Sequence, residues 1–257
     1  MFSSSNISKR LGLVYIFVVL AIQLLHLRTV SSLNTTNAFL HHKCISSQGE
    51  YKTGSEYEKN LNQLIHSTSK GNFRNGFEQV SLGEGPDSVT LKYQCRGDTY
   101  GPKCRSCYTT ALSMLRRKCP RNKGKIIWYD QCLIKISSIG SDGKIDYANN
   151  ICMTNAKNVS DPDAYWNSFI RFISKLNTKA TGYYGNLSNG MYTTGEGMFG
   201  TEKVYGMVQC TKDLNSLNCQ VCLDWIMTKE SRCCYEKQGG RVFSTTCNYR
   251  YEVYPFI

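Results

Sequence analysis

Residues 95–107, CRGDTYGPKCRSC, and residues 210–222, CTKDLNSLNCQVC, carry one spacing: Cys, eight residues, Cys, two residues, Cys. The agreement runs on downstream. Eleven residues separate Cys107 from Cys119 and twelve separate Cys119 from Cys132; the same intervals separate Cys222 from Cys234 and Cys234 from Cys247. One lone cysteine stands upstream of each block, Cys44 in the first half and Cys152 in the second. Four successive intervals repeated in order mark two copies of one unit, since an internal repeat fixes an architecture before any local propensity does.

Each copy reads as two helices and a set of strands. Ser55-Glu56-Tyr57-Glu58 is a capping box, followed by Tyr57, Leu61, Leu64 and Ile65 at helical spacing. Asp161-Pro162 opens the equivalent helix, with Pro at its first position and Tyr165, Phe169, Phe172, Ile173 and Leu176 as its apolar stripe. A second helix starts near each Cys-x2-Cys and carries Cys107, Ala111, Leu112 and Leu115, or Cys222, Leu223, Ile226 and Met227. Residues 88–93 and 203–208 lead into the motif as strands, and residues 125–136 and 241–253 follow it, rich in β-branched and aromatic side chains. Helices and strands are segregated, so the expected class is α+β, with two helices on an antiparallel sheet in each copy.

The N-terminus reads as an address. Lys9 and Arg10 precede an apolar run from Leu11 to Leu27, and Val30-Ser31-Ser32 offers small residues for cleavage, so residues 1–32 are expected to be a secretory signal peptide. The competing reading is an N-terminal membrane anchor, for which the run is short. No later stretch is apolar for long enough to span a bilayer, so the mature chain is expected to be soluble outside the cell, without a transmembrane anchor. Thirteen cysteines fit an oxidising compartment. Sequons at Asn34, Asn158 and Asn186 are candidate glycosylation sites. Lys9, Arg10 and Arg28 would leave with the signal peptide, lowering the net charge from +12 to +9. The remaining cations are mostly scattered and mark no nucleic-acid site.

Three jobs are open to Cys-x2-Cys. A four-cysteine zinc centre needs two such pairs close together, and these lie in separate copies. A redox site joins its two sulfurs to each other at a helix start. Structural staples pair each sulfur elsewhere, and an even set of six cysteines per copy favours them. Six cysteines allow fifteen connectivities, and spacing alone selects none. Cys233 is the leftover, because Cys234 occupies the register of Cys119; it is free or buried, or bridges to another chain.

The spacings, together with Trp128-Tyr129-Asp130-Gln131-Cys132 and Gly239-Gly240-Arg241-Val242 leading to Tyr249-Arg250-Tyr251-Glu252, resemble the plant cysteine-rich repeat secretory protein family of tandem ginkbilobin-homologous, or stress-antifungal, domains. The resemblance covers essentially all of the mature chain. It implies domains at 37–140 and 145–256, each a five-stranded antiparallel sheet with two helices and three disulfides. The implied pairs are Cys44–Cys119, Cys95–Cys104, Cys107–Cys132, Cys152–Cys234, Cys210–Cys219 and Cys222–Cys247. Relatives carry the same two domains ahead of a transmembrane helix in receptor-like proteins; this chain looks like the purely secreted branch, in the apoplast. A single-domain relative binds mannose through an Asn, an Arg and a Glu. Those places hold Ile45, Ile126 and Ser137 in the first copy, and Met153, Arg241 and Glu252 in the second. Only Arg241 and Glu252 match, so a sugar site is expected in the second copy alone.

The leading expectation is therefore a noncatalytic extracellular interaction module that binds a protein partner, without a cofactor or a metal. The alternative is a mannose-type, antifungal lectin acting through Arg241 and Glu252 on a cell-wall glycan. An enzyme is the weakest reading. Past the signal peptide only His41, His42 and His66 remain; none has a nucleophile or carboxylate at a telling spacing, and the first two are expected in a solvated tail. The sequence assigns no oligomeric state.

Overall fold

The computed structural model describes residues 37–182 and 191–257. The expected signal peptide and the sequons at Asn34 and Asn186 lie outside those residues. The first repeat runs β1 (Phe39–Glu50), α1 (Glu56–Ser69), β2 (Phe77–Leu82), β3 (Val89–Cys95), α2 (Pro102–Lys118), β4 (Asn122–Tyr129) and β5 (Cys132–Ser137). The second runs β6 (Ile151–Thr154), α3 (Pro162–Thr181), β7 (Tyr192–Phe199), β8 (Glu202–Cys210), α4 (Ser216–Trp225), β9 (Gly240–Phe243) and β10 (Cys247–Glu252). Both sheets are antiparallel and share one topology, β1-β4-β5-β3-β2 and β6-β9-β10-β8-β7.

The helix starts follow from their caps. Ser55 Oγ accepts from the Glu58 N–H at 3.4 Å, and Glu58 reaches back to the Gly54 N–H at 2.7 Å, one residue before the cap. Asp161 accepts from the Ala164 N–H at 3.0 Å, and Gly182 ends α3 in the left-handed region with φ 64°. Tyr57, Leu61, Leu64 and Ile65 bury the stripe of α1; Tyr165, Phe169, Phe172, Ile173 and Leu176 bury that of α3. Beyond Trp225, α4 continues as a π turn over Ile226–Glu230 and a 3-10 turn over Ser231–Cys234.

The central strands are buried on both faces, which an alternating polar pattern alone would not indicate. Val89, Leu91 and Tyr93 of β3 face the helices, while Thr90, Lys92 and Gln94, also buried, point the other way. That second face is covered by the other repeat. Ile126, Trp128 and Leu133 meet Phe243 in a small apolar seam, and Trp128 Nε1 donates to the Ser244 carbonyl at 2.9 Å. Gln209 donates to the Cys95 carbonyl, Gln94 accepts from the Lys212 N–H, and Lys92 pairs with Asp213 at 3.1 Å. Residues 39–257 accordingly form one compact unit.

Disulfides join Cys44–Cys119, Cys95–Cys104, Cys107–Cys132, Cys210–Cys219 and Cys222–Cys247. The sixth corrects the implied pairing: Cys152 is bonded to Cys233, and Cys234 is a buried thiol. The tight 3-10 turn sends successive side chains to opposite sides. Cys233 stays exposed beside half-buried Cys152, while Cys234 turns inward against the Tyr249 hydroxyl. A second correction concerns His41 and His42. They sit in β1 opposite Trp128 and Ile127 of β4, so the expected tail is a paired strand.

Candidate functional site

Arg241 lies on β9 and Glu252 on β10, and the structure brings both to the boundary between the repeats. There Asp130, in the tight turn between β4 and β5, receives three arginines. Arg241 Nη1 donates to its Oδ1 at 2.6 Å, Arg250 Nη1 to the same oxygen at 3.1 Å, and Arg96 Nη1 to Oδ2 at 2.8 Å. Arg96 also holds Asp98 at 2.7 Å, and Arg250 Nε holds Glu252 Oε1 at 3.1 Å. Three guanidinium groups thus meet three carboxylates, and all but Asp98 are largely removed from water. Burial, followed by neighbouring Arg250, lowers the Arg241 pKa against the opposing pull of Asp130. Sequence reading singled out two members and missed Arg96, Asp130 and Arg250 as partners. All three stood inside the quoted motifs, but nothing local announced that they would meet across repeats.

A second buried cluster closes the same boundary. Lys135 donates to Asp146 at 3.0 Å, with Thr245 and Asn149 on the same carboxylate. Burial alone would raise the Asp146 carboxyl; Lys135 beside it and these hydrogen bonds hold it down at about 2.

Beside these clusters an open cleft of about 780 Å³ runs between the repeats, within the range of ligand sites. Arg74, Arg96, Thr99 and Tyr100 line one wall, and Lys179, Tyr192, Thr194 and Lys212 line the other. Among the described residues its lining holds four cations and no carboxylate. Arg96 is neutralised from behind by Asp98 and Asp130, but Arg74, Lys179 and Lys212 have no carboxylate partner among the described residues. Lys212 Nζ is held over the rim by the Asn75 carbonyl at 2.6 Å. Tyr100 stands 65% exposed at the cleft. Gly97 lets the walls approach, since a Cβ there would fall inside the Tyr192 ring.

The remaining sequence candidates lie apart from this cleft. Asn158 is exposed, with its Oδ1 accepting from Lys237 at 2.6 Å. His66 is on α1 and His41 and His42 are on β1; burial, with Lys118 and His41 nearby, lowers the His42 pKa. Cys152, Cys233 and Cys234 cluster, but two of the three sulfurs are joined to each other, leaving a single thiol to offer a cation. Among the described residues no helix is long and apolar enough to cross a membrane.

Comparison with known proteins agrees with this architecture. A family model described as salt stress response/antifungal matches residues 43–139 and again 151–254. The chain is 58% identical to putative cysteine-rich repeat secretory protein 20 of Arabidopsis thaliana, over 100% of this chain and 98% of that one. It is 54% identical to putative cysteine-rich repeat secretory protein 21 of the same plant, over 98% of each chain. Its fold resembles the tandem DUF26 ectodomains of the Arabidopsis thaliana cysteine-rich receptor-like proteins PDLP8 and PDLP5. The TM-scores are 0.72 and 0.68 at 21% and 25% identity, covering 84% of this chain and 97% and 100% of the others.

Proposed function

The chain belongs to the salt stress response/antifungal family, and from that premise we propose that it is a secreted, noncatalytic recognition module of the apoplast whose cleft between the repeats receives an acidic segment of a partner protein. The observation that carries this reading is the charge of the cleft: four cations and no carboxylate around about 780 Å³. Three of those cations have no carboxylate partner among the described residues, so an incoming carboxylate gains attraction without having to displace a bonded one. Exposed Tyr100 beside Arg74 supplies an aromatic and a guanidinium, the two side-chain types enriched among residues that anchor protein interfaces. The names of the relatives, secretory proteins and receptor-like ectodomains, agree with an extracellular address.

A mannose-type, lectin-like role through Arg241 and Glu252 is less well supported by the geometry. A sugar there would meet an Arg241 already held by Asp130 and a Glu252 already held by Arg250, with Oε2 the one oxygen of Glu252 left without a hydrogen-bond partner among the described residues. Both side chains are largely buried, Arg241 at 17% and Glu252 at 6% exposure, so little of either is presented to a ligand.

The test is titration of the secreted protein with a poly-glutamate peptide, beside a neutral glycan array. Binding that weakens with salt, and falls at least tenfold in the Lys179→Glu/Lys212→Glu variant, is the expected result. Peptide binding indifferent to that variant, or a signal confined to neutral glycans, rejects the reading.

A further inference from the structure

The second repeat holds three sulfurs where the first holds two. In the first, Cys44 of β1 is bonded to Cys119, and Lys118 precedes it. In the second, Cys152 of β6 faces a vicinal pair: Cys234 stands in the register of Cys119, and Cys233 in that of Lys118. Cys152 is bonded to Cys233, yet its Sγ is only 3.4 Å from Cys234 Sγ, and Cys233 Sγ is 3.6 Å from the same thiol. Two pairings therefore lie within one side-chain rotation of each other. They differ in what they leave over. With Cys152–Cys233 formed, the spare thiol is Cys234, 1% exposed among Tyr249, Tyr251 and Val242. With Cys152–Cys234 formed, the spare thiol is Cys233, on the exposed side of the turn.

We propose that this triplet is a disulfide-exchange site that delivers a reactive thiol at Cys233, and that the thiol is capped by a low-molecular-weight disulfide of the glutathione class. In the first step the Cys234 thiolate attacks Cys152 Sγ. The Cys152–Cys233 bond breaks, Cys152–Cys234 forms, and Cys233 leaves as the thiolate, the proton that Cys234 released passing to solvent. One disulfide is exchanged for another, so no oxidant is consumed. In the second step the Cys233 thiolate attacks glutathione disulfide, forming a mixed disulfide and releasing one glutathione thiolate. The exchanged pairing reproduces the register of Cys44–Cys119, so the fold already contains a template for it. Only the exposed thiol can reach a bulky disulfide, because the buried one is screened by the β10 tyrosines.

Disulfide mapping by mass spectrometry, before and after native incubation with glutathione disulfide, tests the exchange. Acid-quenched wild-type protein should give peptides with both linkages, Cys152–Cys233 and Cys152–Cys234. Incubation should then add one glutathione per chain, on Cys233, with Cys152–Cys234 rising in equal proportion. Cys234→Ser, fixed as Cys152–Cys233, and Cys233→Ser, fixed as Cys152–Cys234, each keep a bridge to Cys152, and neither should gain glutathione. A single linkage throughout in the wild type overturns the proposal, as does glutathione found on Cys234 or capping that survives in Cys234→Ser.

Discussion

Lys125 is 2% exposed in the core of the first repeat, with its Nζ on the Cys119 carbonyl at 3.2 Å and no carboxylate partner among the described residues. Burial, then the nearby Arg116, lowers its pKa from 10.5 to about 8. The unfolded chain therefore holds this proton more tightly than the native state. Stability should rise as pH climbs from about 8 to 10.5, by roughly 3 kcal/mol, and the full cost should be present below 8. Lys125→Met keeps the volume and removes the charge, so the variant should gain urea midpoint at pH 7 and lose that alkaline slope. Asp146 stabilises at neutral pH where Lys125 costs, although both pKa values are lowered and stability rises with pH through both windows. Its carboxyl, held at about 2 rather than 3.8, contributes stability above the higher value and loses it as pH falls toward the lower, about 2 kcal/mol in all. Asp146→Asn should flatten this acid limb in urea titrations across that window. Neither residue was legible as special in the sequence. A lysine in a strand reads as a solvated side chain, yet Lys125 is buried by its own repeat, over the Tyr51 ring and against the Cys119 carbonyl, while Asp146 is enclosed at the repeat boundary by Lys135 and Thr245.

At the scale of elements, legibility followed local cause. The helices were readable because Ser55, Asp161 and the apolar stripes act within a few residues of themselves. His41 and His42 of β1 were read as a tail, and β7 went unread because Gly195 and Gly197 interrupt the pattern that marks a strand. Those glycines serve packing. They and Gly206 of β8 leave room for Phe172 and Leu176, so α3 lies directly on the sheet. A Cβ at Gly206 would enter the Phe172 ring. Gly206→Ala should therefore push α3 away and cost about 1–3 kcal/mol, the usual range for overfilling a packed core. An unchanged denaturation midpoint would show that α3 has slack the structure does not display. The cysteine register behaved like the strands. Spacing located Cys233 as the odd residue, but which of two adjacent sulfurs meets Cys152 depends on how a 3-10 turn orients them.

The molecule as a whole depends on a boundary that is unusually polar for two sheets packed face to face. Its apolar seam is small, four buried side chains with Trp128 at the centre, so charge pairing carries much of the register between repeats. Asp130 is the point where this can be measured. Arg96 keeps Asp98 and Arg250 keeps Glu252 if Asp130 is removed, but Arg241 loses its one carboxylate partner among the described residues. Leaving a buried guanidinium uncompensated typically costs about 3–5 kcal/mol. Asp130→Ala touches neither repeat's core and no disulfide, so both repeats should stay folded while the calorimetric transition falls by roughly 10 °C. The same variant should weaken poly-glutamate binding, because the cleft walls come from different repeats. Arg241→Ala distinguishes a real pair from a mere proximity. Made on top of Asp130→Ala, it should cost far less than it does alone, since the charge it removes is already unpaired. Strictly additive losses would mean that Asp130 and Arg241 do not fasten the repeats together, and the shared cleft would lose its physical basis.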